Sequence, residues 1–143
     1  MEISNLRKDI GILEHIRDYC EDISETHEEY GNSRQTFLSN KSYERRLAFD
    51  VLQIGELTGK LSAEFREETK NRIPWRAIKD MRNHIVHGYG TIDFDILWSC
   101  SHDDIYELHE FCQQTVQLYD VKMMESFSKG SFMDELEDDW ERE

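Results

Sequence analysis

Apolar residues recur at three- and four-residue steps through most of the chain, the spacing that gathers them on one side of an α-helix. Ile3, Leu6, Ile10, Leu13, Ile16, Cys20 and Ile23 trace one such stripe and predict a helix to about Glu28, which the polar stretch Gly31-Asn32-Ser33 stops. A second helix is expected from about Lys41 to Leu61, capped by Asn40. Leu47, Val51, Ile54, Thr58 and Leu61 form one of its faces, while Phe49 and Leu52 form another. A helix apolar on two faces belongs in the middle of a bundle. Glu56 falls on the second face, where it should need a cationic partner.

Ser62 to Asn71 reads as a short polar helix and loop. Pro74 suits the first turn of a third helix, with Trp75, Ile78, Met81 and Ile85 inward and an end near Gly88. Asp93 to Trp98 gives a short helical piece. A last long helix, capped by Ser101, carries Ile105, Leu108, Cys112, Val116, Tyr119 and Met123 on one side. No segment alternates apolar and polar residues for long enough to argue for a strand. The expected fold is all-α, an antiparallel bundle of four to five helices. The helical domain should span 1–127, and 128–143 should form a flexible acidic tail.

Charge narrows the function. Lys and Arg total 17 of the 143 residues against 31 Asp and Glu, a net charge of −14. Residues 134–143 hold seven acids against Arg142, which leaves −8 to the other 133 positions. That balance excludes a generic nucleic-acid coat protein, whose binding needs a net basic surface. No apolar run approaches the roughly 18 residues a membrane helix needs. The first seven residues lack the basic-then-apolar order of a secretion signal. Cys20, Cys100 and Cys112 are odd in number and include no Cys-x-x-Cys, as expected of free thiols in a reducing compartment. The expectation is a soluble cytoplasmic protein.

One stretch concentrates reactive side chains: Met81-Arg82-Asn83-His84-Ile85-Val86-His87-Gly88-Tyr89-Gly90. A histidine there can take a proton from a ribose 2′-OH or give one to a leaving oxygen. An arginine can hold the charge that develops on phosphate oxygens. Those groups suffice to cleave a phosphodiester without a metal. On an ideal helix Asn83 and His87 share a face, but Arg82 and His87 point about 140° apart. They meet if the helix unwinds near Gly88, if Arg82 reaches round, or if a second subunit completes the site.

Architectural readings stand beside these. Arg82 would serve equally as the buried partner of Glu56, His87 as a cation at a helix C-terminus, Tyr89 as a core aromatic and Asn83 as a surface amide. His84 and His87 have no third ligand at zinc spacing, so no metal is expected. None of the cysteines sits in a nucleophile pattern, and no Gly-rich phosphate loop calls for a nucleotide cofactor.

Arg82, four residues, His87, Gly88 and Tyr89 together match R-x4-H-x-Y, and in this the chain resembles the HepT-like toxins of the HEPN superfamily. The flanks Ile73-Pro74-Trp75-Arg76-Ala77-Ile78 and Ile92-Asp93-Phe94-Asp95-Ile96-Leu97-Trp98 are similar too, as is Ile54-Gly55-Glu56-Leu57 upstream. The similarity covers roughly Met1 to Met124. It implies a helical homodimer, or a higher oligomer, that places two R-x4-H segments around one cleft and cleaves RNA without metal as the toxin of a toxin–antitoxin system. Arg82 and His87 would be the catalytic pair, with Asn83 as a polar helper. The family's antitoxin is a minimal nucleotidyltransferase (MNT type) that moves AMP from ATP to the motif tyrosine, here Tyr89, leaving a phosphate-bearing adduct where RNA phosphate must sit. Relatives often carry a bulky aromatic next, where this chain has Gly90. The competing expectation is a non-catalytic helical module that binds and regulates such a nucleotidyltransferase.

Overall fold

Four polar side chains start four of the helices in the same way, each accepting a backbone N–H that a first turn leaves without a partner. Ser33 accepts from Thr36 at 3.2 Å, Asn40 from Tyr43 at 3.0 Å, Ser62 from Phe65 at 3.1 Å and Asp93 from Ile96 at 3.1 Å. In the computed structural model, which describes residues 3–88 and 90–128, these caps open α2 (Arg34–Ser39), α3 (Lys41–Thr58), α4 (Ala63–Thr69) and α6 (Phe94–Ser99). The remaining helices are α1 (Ile3–Glu29), α5 (Trp75–Ile85) and α7 (Ile105–Ser128). No β-strand occurs among the described residues, so the all-α expectation holds. The acidic stretch from residue 129 onward lies outside them.

The long helices α1, α3 and α7 pack side by side, with α5 laid against α3. Leu13, Ile16 and Ile23 of α1 meet Leu47 and Ile54 of α3 and Cys112 of α7, all fully buried. The end of α1 is made by two left-handed residues, Gly31 (φ 78°) and Asn32 (φ 52°). Their N–H groups return to the carbonyls of Glu28 and His27. Asp9, buried in α1, accepts from both Ser62 N–H (2.8 Å) and Ser62 Oγ–H (2.7 Å) and so ties α1 to the corner before α4.

Several expectations change. The helix expected to Leu61 ends at Thr58, although Leu61 is still buried. α2 was not expected; its cap Ser33 lies in the stretch read only as a stop, and it buries Phe37. The second face of α3 is mostly wet: Phe49 is 56% exposed, leaning edge-on against Tyr19, and Glu56 is exposed. A solvated carboxylate needs no cation, and Arg82 is exposed as well, so the buried Glu56–Arg82 pair does not form.

Ser101 does not cap α7. It is buried in a π-helical turn, Cys100–Asp104, through which α6 runs on into α7, and its Oγ–H donates to the Trp98 carbonyl. The partner that draws it inward is His27 of α1, whose Nε2 lies 3.2 Å from the Ser101 carbonyl oxygen. A carbonyl only accepts, so Nε2 carries the proton and Nδ1 accepts from the Tyr43 hydroxyl at 2.5 Å. Burial holds the His27 pKa below its ordinary value.

Candidate active site

α5 is fixed at both ends and in its middle. Trp75 at the start is buried, its Nε1–H donating to Thr69 Oγ1 at 2.8 Å and its ring lying edge-on to Phe111. Ile85 at the finish is fully buried. Between them α5 crosses α3 at Gly55, where a Cβ would lie 3.5 Å from the Ile78 carbonyl oxygen. This anchoring turns Arg76, Lys79, Arg82, Asn83 and His84 to solvent.

The helix ends at Ile85 rather than near Gly88. Val86 is extended (φ −105°, ψ 115°) and pairs in antiparallel fashion with Ile92, a conformation a β-branched residue favours. The chain then folds back tightly: His87 N–H donates to Thr91 O, Gly90 N–H to His87 O, and Asp93 N–H to Ile85 O, at 2.7 to 2.9 Å. Gly90 has φ 83°, a region that side chains disfavour. His87 is therefore exposed on a loop two residues past the helix. The helical angle of about 140° to Arg82 no longer applies. Neither does the shared helix face expected for Asn83 and His87. Of the three routes by which Arg82 and His87 could meet, the helix does unwind, and it does so before Gly88. Arg82, Asn83 and His87 all stand at this exposed end of α5; Tyr89 lies outside the described residues.

A cleft of about 700 Å³ runs along the other edge of α5, between Ile78, Met81 and His84 and the facing Ile96, Cys100 and Leu108. Asp103, Asp104 and Glu107 also line it, and neither Arg82 nor His87 does. Its acids repel phosphate, so it is not the place for an RNA backbone.

Basic residues gather elsewhere. From Lys70 to Arg82 the chain has five basic residues (Lys70, Arg72, Arg76, Lys79, Arg82) and one acid, Asp80. Arg72 lies over the Phe111 ring, 5.1 Å from its centroid. The Arg76 side chain is 97% exposed, 4.0 Å from Asp80. Counting charge over the whole chain hides this positive strip; counting it over a sliding window finds it. Sequence reasoning had passed over Arg76 and Lys79 for that reason.

Other chemistries find little support. Among the described residues no group of three His, Cys, Asp or Glu side chains could hold a metal ion. The thiols are free, with Cys20 and Cys112 buried. Burial pushes Cys100 up to about 11 and Cys112 up to about 12, so both stay protonated and weakly nucleophilic.

The sequence pattern of the HepT-like ribonucleases matches residues 13–115, which include the whole of α3 and α5 and the loop carrying His87. The chain belongs to the HepT-like ribonuclease family. Among relatives of this HepT-like chain, a protein of Caldanaerobacter subterraneus subsp. tengcongensis, named provisionally as an RNase, is 30% identical over 105 residues, 73% of this chain and 91% of its own. A protein of Thermococcus cleftensis named "Probable ribonuclease HepT" is 29% identical over 96 residues, 64% of this chain and 87% of its own. No solved structure matches the HepT-like chain.

Proposed function

We propose that this HepT-like chain is a metal-independent endoribonuclease, the toxin of a toxin–antitoxin pair, acting at a cleft between two copies. The observation that carries the reading is the exposed grouping of Arg82, Asn83 and His87 at the end of a basic helix, in a chain of a ribonuclease family. The His87 imidazole takes the proton of a ribose 2′-OH as that oxygen bonds to the adjacent phosphorus. The bond from phosphorus to the 5′ oxygen breaks, and that oxygen takes a proton from His87 of the partner subunit. Arg82 holds the charge on the non-bridging oxygens, and the Asn83 amide donates to one of them. The products are a 2′,3′-cyclic phosphate and a 5′-hydroxyl.

Control would come from a cognate minimal nucleotidyltransferase. The Tyr89 phenolic oxygen attacks the α-phosphorus of ATP, pyrophosphate leaves, and the adenylyl group adds bulk and negative charge two residues along the chain from His87. Co-expression with that enzyme should add the mass of AMP, and Tyr89→Phe should remove the gain.

The deciding assay is single-stranded RNA incubated with the protein in excess EDTA, beside Arg82→Ala and His87→Ala. Loss of general acid–base catalysis lowers rates about 10²- to 10⁴-fold. If the wild-type protein cleaves no faster than either variant, the nuclease reading fails and the chain is a non-catalytic module that binds the nucleotidyltransferase. Cleavage that stops in EDTA would instead make His84 and His87 metal ligands. A monomer by sedimentation at micromolar concentration would remove the two-copy cleft.

A further inference from the structure

One carboxylate inside the bundle plays no part in the site on α5. Asp50, midway along α3, is 3% exposed, and its Oδ2 has no hydrogen-bond donor among the described residues. The group beside it is another carboxylate, that of Asp22 on α1. Two carboxylates bond only through a proton, and burial together with Asp22 pushes the Asp50 carboxyl up to about 8. Arg46, 3.6 Å from Asp22, opposes that rise but reaches outward to Glu29 as well.

The pair lines an open cleft of about 500 Å³ between α1 and α3, together with Asp18, Tyr19, Arg45, Arg46 and Phe49. The two aromatic rings meet edge-on, 6.2 Å apart, and Phe49 is more than half exposed. Among the groups that line it, Arg45 and Arg46 face Asp18, Asp22 and Asp50, so an ionised Asp50 leaves the lining with one negative charge in excess.

We propose that this cleft is a socket for a single guanidinium group, the side chain of an arginine on a partner protein. A guanidinium is planar, carries five N–H donors in a fixed fork and is weakly hydrated, so it can bond both carboxylates at once and lie against an aromatic face. It takes over the role of the shared proton and supplies the donor that Asp50 Oδ2 lacks. An ammonium is more strongly hydrated and has no flat face to stack. A bare metal ion fits poorly, since no three-ligand group exists among the described residues. Arg82, Asn83 and His87 do not line the socket, so its test is separate from that of RNA cleavage.

The test is an amide NMR titration of the full chain with N-acetylarginine amide at pH 8 and constant ionic strength. Saturable shifts are expected at residues 18–22 and 45–50. Binding should weaken about tenfold or more in Asp50→Asn, which keeps the shape and removes the charge-assisted bond. In case Asp50→Asn does not fold, Phe49→Ala changes an exposed residue and should weaken binding about fivefold through lost cation–π contact. Shifts that rise linearly, or that are unchanged in both variants, overturn the proposal. So does spermidine binding as tightly as the arginine amide, which would make the site one for free polyamines.

Discussion

If RNA lies along α5, its grip should depend on salt to an extent set by a few named charges. Arg76, Lys79 and Arg82 are all exposed on α5, and of the three Arg76 is the one with an ion pair among the described residues, to Asp80 at 4.0 Å. An ion pair that open to water is worth little and yields readily to phosphate. Each cation that neutralises a phosphate on a single strand adds about 0.7 to the slope of log affinity against log salt. Three contacts give a slope of about −2, and between 50 and 200 mM salt affinity falls roughly 20-fold. Arg76→Ala with Lys79→Ala leaves Arg82 alone, with a slope of about −0.7 and a fall of about threefold over the same range. The double variant should keep its stability, because neither side chain is part of the core. The assay is fluorescence anisotropy of a labelled single-stranded RNA, with His87→Ala in every protein to prevent cleavage. A double variant whose slope matches that of its parent would refute the placement of RNA on α5.

Other outcomes can be checked on the folded chain itself. His27 is held below its ordinary pKa of about 6.5 by burial. Its contribution to stability is therefore complete above that value and lost as pH falls through it toward the folded-state pKa; urea midpoints at pH 7.5 and 5.5 should show the loss, and His27→Gln should flatten it. Ile85→Ala empties a fully buried site at the end of α5 and should cost about 2–5 kcal/mol by chemical denaturation. A thiol reagent at pH 7 should modify Cys20 and Cys112 only as fast as the chain opens, since both are buried, while half-buried Cys100 reacts slowly because its thiol is pushed up to about 11. Fast labelling of Cys20 or Cys112 in the native protein would contradict that burial.

Features decided by near neighbours were legible in the sequence. Asn40 caps α3 because its side chain reaches Tyr43 three residues on, and Gly31 ends α1 because it tolerates a left-handed turn. The stripe from Ile10 to Ile23 is buried as its spacing implies. Features decided by distant partners were not. Ser101 looks like a cap until His27, 74 positions earlier, draws it into the core. Gly88 looks like a helix stop until Ile92 pairs with Val86 and ends α5 sooner. Phe49 reads as core because it is apolar, and nothing local says that its face of α3 is open to water. For the candidate site, the residue set at the end of α5 was plain from the motif. The relation between Arg82 and His87 was not, because it depends on where the helix stops.

The way the loop after α5 is held has a consequence for how freely its sequence can change. Its closing bonds run between main-chain groups of Ile85, His87, Gly90, Thr91 and Asp93. Such bonds do not depend on which side chains those residues carry. Gly88 has open space around its Cα and Thr91 is exposed, so substitutions at these two positions should leave the imidazole where it is. Gly90 is the exception, because its positive φ penalises any side chain. The loop is thus a fixed mount with interchangeable surroundings. That arrangement lets Gly88 and Thr91 change without rebuilding the helix that carries His87.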